Sequence, residues 1–148
     1  MTFHTGSNAV MAAAQERGKM AIAYHSDMRA IAPDAQIAAV THQWGAYYTA
    51  RAQAVLDGSW KPGVVWGGVK EGMIHVGDFG PRVPQAVRDE VQRAQKAMAR
   101  GLLHPFHASA AVFDNEGHEL IAKGQTLGDE KILGMNRQVA GVQGKVSH

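Results

Sequence analysis

Apolar positions fall into a helix–strand–strand–helix order in the first third of the chain. NAVMAAAQER follows Ser7, a good N-cap, and ends at Gly18. Val10, Met11 and Ala14 share one face, the stripe expected to meet a core. Met20–Tyr24 is a short apolar run of strand length. Pro33 and Asp34 then break the chain, and Gln36–Thr41 reads as a second buried strand. A helix is predicted from Trp44 to Leu56, with Tyr48, Ala52 and Val55 on one stripe and Gly58 as its stop. Apolar strands without alternation predict a parallel sheet covered on both faces.

The rest of the chain has shorter elements. Val64–Trp66 and Met73–Val76 read as brief strands around a Gly-rich turn, and Phe79-Gly80-Pro81 is a break. Pro84 opens a helix that ends at Gly101, with Val87, Val91, Ala94 and Met98 at helical spacing. Asp114–Gly117 is a turn between AAVF and HELIA and predicts a β-hairpin. The tail from Asp129 begins with one helical turn. The fold class is therefore α/β, with three main helices and a late hairpin. No repeat, charge block or linker marks a boundary.

Composition adds exclusions. The 148 residues are 45% apolar and 19% charged, enough for a core and against wholesale disorder. No cysteine is present, which excludes a disulfide scaffold, a thiolate metal site and a cysteine nucleophile. A formal charge of +2 is no nucleic-acid footprint, although the sequence pI is about 9.0. The apolar runs Ala9–Ala14 and Ala108–Phe113 are far shorter than the roughly 20 residues a membrane helix needs. MTFHTGSNAV lacks a basic region and a long apolar stretch and does not read as a signal peptide. A Gly-Ser turn and a helix pattern begin there almost at once, unlike an ordinary domain start.

The common catalytic motifs are missing, including the nucleophile elbow, the P-loop and the zinc helix. His25-Ser26-Asp27 holds triad residue types, but three consecutive side chains cannot form a relay. His104 and His107 have a metal-like spacing without a companion carboxylate cluster, and packed or exposed histidines are the better reading. No metal or cofactor is expected.

Three polar loops instead fall at the ends of predicted strands: His4-Thr5-Gly6-Ser7, His25-Ser26-Asp27 and His42-Gln43-Trp44. In open α/β sheets ligands bind beyond the carboxyl ends of the strands. Each residue also has an ordinary structural reading: Ser7 as a helix cap, Asp27 as a turn cap, Trp44 as core beside Tyr47 and Tyr48. The coincidence of three loops at one edge favours a ligand rim.

The strings HTGSNAVMAAAQERG, AIAYHSDM, APDAQIAAVTHQWGAYYTARAQAVLDGSW, VWGGVKEGMIHVGDFG and LGDEKILGMNRQVAGV together resemble the basic membrane lipoprotein (BMP) family. These are substrate-binding proteins of ABC importers with the type I periplasmic-binding-protein fold. The resemblance implies a partial doubly wound parallel sheet with a C-terminal β-hairpin extension. Family members are about twice as long and start with an exported, often lipid-attached leader, so the chain resembles a distal half, whether by truncation, a misassigned start or a fragment. Residues 1–41 would end the second lobe, 42–80 would cross into the first, and 81–148 would carry the C-terminal helix, hairpin and tail. Half a sheet implies unpaired edges and homo-oligomer formation through them.

The resemblance further implies a non-enzymatic solute-binding role, with ABC permease subunits as partners and no nucleic acid. The full-length family is periplasmic or membrane-anchored. The implied ligand is purine-like, held by Thr5, Gly6, Ser7, His25, Asp27, His42 and Trp44. Nucleoside-binding members carry an aspartate at the position of His25 and a lysine near His42. Histidine at both favours a free purine base such as adenine, with Trp44 stacking; riboflavin is a further ligand class. The alternative is a cytoplasmic ligand-sensing or regulatory domain of the same fold. A hydrolase built from scattered Ser, His and Asp lacks a placed nucleophile.

Overall fold

A computed structural model describes residues 6–144, in two compact units that divide between Leu102 and Leu103. The first unit begins with α1 (Asn8–Glu16), β1 (Ala21–His25) and β2 (Gln36–His42). It continues with α2 (Trp44–Leu56), β3 (Ile74–Gly77) and α3 (Gln85–Ala99). Ser7 caps α1 as expected, its hydroxyl accepting from the Ala9 N–H at 3.3 Å. Gly18 leaves the helix at φ 60°, a conformation that costs glycine little.

Alanine sets the spacing of this unit's core. Met11 and Ala14 of α1 pack with Ala21 and Ala23 of β1, Ala39 of β2, and Met28, Ala32 and Ala35 of the connecting loop. Small side chains let helix and sheet backbones approach closely, and two buried methionines fill the remaining irregular space. Of the stripe read on α1, Met11 and Ala14 are buried and Val10 is half-buried.

β1 and β2 are parallel, with Tyr24 opposite Val40 and His25 opposite Thr41. β3 runs antiparallel to β2, giving the order β1-β2-β3 and a mixed sheet in place of a wholly parallel one. Val64–Trp66 forms no strand, and Val64 is fully exposed. Strand propensity needs a pairing partner, and the ladder beside β2 is taken by β3. A turn closed by the Gly68 carbonyl, which accepts from the Met73 and Ile74 N–H groups, leads into β3.

The helix boundaries read from the sequence hold closely, but burial does not follow them everywhere. α2 spans Trp44–Leu56 as predicted and ends before Gly58 at φ 73°. Its expected core stripe, Tyr48, Ala52 and Val55, is exposed, and no residue of α2 is buried. Helical periodicity marks a face fit for burial; a partner surface must still be present to cover it. On α3, Val91, Ala94 and Met98 are half-buried while Val87 is exposed. The Gln95 side chain fixes α3 to β3, accepting from the Val76 N–H at 2.8 Å and donating to its carbonyl.

The second unit contains the predicted hairpin, β4 (Val112–Phe113) with β5 (Glu119–Ile121), and a short α4 (Asp129–Leu133). Ala108, Ile121 and Leu127 form its core, with Phe106, Val112, Leu120 and Ile132 packed around them. Asp114, 2% exposed, ties the turn together. Its carboxylate accepts from the Glu116 and His118 N–H groups and from the Arg137 guanidinium.

Candidate functional site

Parallel pairing brings the C-terminal ends of β1 and β2 to one sheet edge, so His25 and His42 stand side by side there. Their Nδ1 atoms lie 3.1 Å apart and their ring centroids 4.6 Å. From this pair an aromatic row extends in both directions. Tyr24 sits 3.9 Å from His25, centroid to centroid. Trp44, the first residue of α2, lies 5.4 Å from His42 with its ring plane within 5° of parallel. Tyr48, one helical turn on, stacks 5.7 Å from Trp44. Ring pairs of this kind each contribute about 0.5–1.5 kcal/mol beyond burial, so the row is a defined arrangement of rings.

His25 carries backbone strain. Its φ is 74°, a region in which a non-glycine residue costs of order 1 kcal/mol or more. The surroundings hold it there through the bond to His42, the Tyr24 ring and Gly6. A Cβ on Gly6 would come within 3.2 Å of the His25 ring, so glycine leaves that ring its space. Such outliers cluster at functional sites.

The loops after β1 and β3 meet in a polar knot. Arg29 grips Asp27 with three contacts of 2.6–2.9 Å and reaches Asp78 at 3.5 Å and the Phe79 carbonyl at 3.4 Å. Gln36, fully buried at the start of β2, joins three parts of the unit. Its Oε1 accepts from the Met28 N–H at 2.8 Å, and its Nε2 donates to Asp27 at 3.0 Å and to the Asp78 carbonyl at 2.8 Å. These contacts fix the loops after β1 and β3.

The Arg29 side chain donating to Asp27 is the main cause that lowers the Asp27 pKa to about 2; the Arg29 N–H and Gln36 add to it, against partial burial. The folded-state value lies below the ordinary 3.8. The stabilisation is therefore complete above pH 4 and is lost as pH falls through the window from about 4 to about 2. Stability measured by denaturant melts should decline across that window in the native chain. The decline should be smaller in Asp27→Asn, and an equal decline in both would place the acid sensitivity elsewhere.

Of the site residues read from the sequence, the structure brings Gly6, His25, His42 and Trp44 together. Thr5 lies outside the described residues. Ser7 caps α1, and Asp27 is committed to Arg29 and Gln36. The sequence reading missed Tyr24, Tyr48, Arg29, Gln36 and Asp78. The four-residue step from Trp44 to Tyr48 was a usable signal, because such positions are neighbours on a helix. A glutamine heading an otherwise apolar strand was the other.

The remaining candidates have local partners. His104 Nδ1 accepts from the Phe106 N–H at 3.2 Å, and His107 Nδ1 meets the Thr126 hydroxyl at 2.8 Å, so the two histidines serve different turns. Asp114, Glu116 and His118 offer donor atoms within 4.8 Å of one another, but Arg137 already answers the Asp114 charge at 2.6 Å. Burial pushes the Asp114 pKa up. Its bonds to Arg137 and to the His118 and Glu116 N–H groups outweigh that and hold it well below the usual carboxylate range.

Comparison with known proteins follows the same lines. A purine-binding protein of Brucella abortus (strain 2308) is 38% identical over 99% of this chain, which spans 41% of that protein. TsgA13 of Haloferax volcanii, an ABC transporter protein whose name assigns it glucose, is 25% identical over 95% of this chain and 33% of its own length. The chain thus spans about two fifths or less of these curated relatives. A crystal structure of a transcriptional activator of the comK gene from Bacillus halodurans superposes with a TM-score of 0.59 at 20% identity, covering 66% of this chain and 35% of that one. That likeness speaks to the fold. Residues 2–104 match the family model of the PnrA-like ABC transporter substrate-binding proteins, Bmp, and the chain belongs to that family.

Proposed function

We propose that this chain supplies one side of the ligand cleft of an ABC importer's solute-binding protein, and that the ligand is a purine base. The observation that carries the reading is the ring row His25–His42–Trp44–Tyr48 beyond two parallel strand ends, in a chain 38% identical to a purine-binding protein. Trp44 remains 40% exposed and offers ring area for stacking. The two imidazoles have ring nitrogens for the purine edge, and the backbone at Gly6 allows close approach. No step of chemistry is involved: binding, closure and delivery to permease subunits make up the mechanism, outside the cytoplasm or at the membrane surface. In this reading residues 1–41 belong to the second lobe, 42–80 cross into the first, and 81–148 complete the C-terminal part.

The test joins this chain to the part of the Brucella relative that it does not cover and titrates the chimaera calorimetrically with adenine, adenosine, riboflavin and glucose. Adenine should bind most tightly. Base stacking is worth about 1–3 kcal/mol by alanine substitution, and 1.4 kcal/mol is tenfold, so Trp44→Ala should weaken adenine about tenfold or more. Adenosine binding far more tightly than adenine, or an unchanged affinity in Trp44→Ala, overturns the assignment.

A further inference from the structure

We infer that His25 and His42 share a proton between their Nδ1 atoms and thereby read a purine edge of either polarity, amino or oxo; the inference rests on the purine reading above. Two ring nitrogens 3.1 Å apart form a hydrogen bond only if one donates and the other accepts. A neutral imidazole carries one N–H. The ring that donates through Nδ1 therefore has a bare, accepting Nε2, and its neighbour carries its N–H on Nε2. The outer nitrogens are always one donor and one acceptor. Moving the shared proton from one Nδ1 to the other inverts them: one ring releases its Nε2 proton to water and the other takes one up, with no net change in charge.

Purine edges pose that problem. Adenine presents an amino N–H beside the bare N1; hypoxanthine presents a carbonyl oxygen beside an N1–H at the same places. A rigid donor–acceptor pair suits one base and sets donor against donor for the other. An invertible pair suits both in one pose. The free ends of the rings fit this role: among the described residues neither Nε2 has a hydrogen-bond partner, His25 is exposed and His42 half-buried. The rings are held in place from outside the pair, by Tyr24 at 3.9 Å from His25 and by Trp44 parallel to His42 at 5.4 Å. The charged residues of the loop after β1, Asp27 and Arg29, answer each other.

Two measurements separate this inference from the ligand reading. In the full chain, nitrogen NMR of labelled imidazoles should find His25 and His42 in opposite neutral tautomers. Both rings in the same tautomer overturn the shared proton whatever the ligand is. In the chimaera described above, adenine and hypoxanthine should bind within about tenfold of one another. His42→Asp makes His25 a fixed Nδ1 donor with an accepting Nε2, and His25→Asp fixes His42 in the same way. The adenine-to-hypoxanthine affinity ratio should move about tenfold or more in opposite directions in the two variants, with circular dichroism confirming that each folds. A ratio that moves the same way in both, or in neither, overturns the inference. Opposite tautomers in a chimaera that binds neither base overturn the ligand reading and this use of the pair with it.

Discussion

Gly80→Ala should unfold the first unit more readily than any other single methyl addition to its loops. Gly80 is buried after β3, where its N–H donates to the Ile37 carbonyl at 3.2 Å and its carbonyl accepts from Arg88 at 2.9 Å. A Cβ there would overlap the Gln36 carbonyl oxygen, part of the backbone of β2 and not the movable end of a side chain. Either β2 or the loop must shift, and a shift of β2 moves His42. Overpacking of this kind costs about 1–3 kcal/mol and occasionally more. The denaturation midpoint in urea should fall accordingly. Gly45→Ala is the control: nothing lies within 4 Å of its Cβ position, and in the first turn of α2 alanine should leave the midpoint unchanged or slightly raised. Equal midpoints for the two variants would show that the chain accommodates the overlap.

Gln36→Leu should be comparably damaging for a different reason. Leucine approximates the volume of the buried glutamine but can neither accept from the Met28 N–H nor donate to Asp27 and the Asp78 carbonyl. A buried polar group left without its partner costs about 1–3 kcal/mol, and here the Met28 N–H and the Asp78 carbonyl both lose one. The loss should show as a lower midpoint and as faster amide exchange at Met28. Gln36→Glu, which retains an acceptor for Met28 but sets a buried carboxylate oxygen against Asp27 and the Asp78 carbonyl, should melt at neutral pH no later than Gln36→Leu. If Gln36→Leu melts with wild-type stability, the knot is no support for the loops after β1 and β3.

Both variants act on the frame that carries the aromatic row, and neither was foreseen from the sequence. Gly80 reads in the sequence as a break beside Pro81, and Gln36 as the first residue of a strand. Their importance comes from partners 42 to 44 positions away in the chain, Asp78 for Gln36 and the Gln36 carbonyl for Gly80. Local pattern holds no information about such distant contacts.

What the sequence determined by itself is what short-range physics controls. α1 and its Ser7 cap, the limits of α2, the start of α3 after Pro84, the hairpin around Asp114 and the α/β class all follow from periodicity, caps and turns over a few residues. Family membership was legible for a related reason: the collinear strings around His25, Trp44 and Val65–Gly80 are a sequence property. The tertiary structure alone decided the rest. It ran β3 antiparallel to β2, left Val64–Trp66 without a ladder and exposed the apolar stripe of α2. It placed the His25 and His42 rings within a hydrogen bond of each other and turned Asp27 toward Arg29. The physical reason is the same in each case: periodicity fixes which face of an element is fit to pair or be buried, but whether it does so depends on which surface the rest of the fold brings against it.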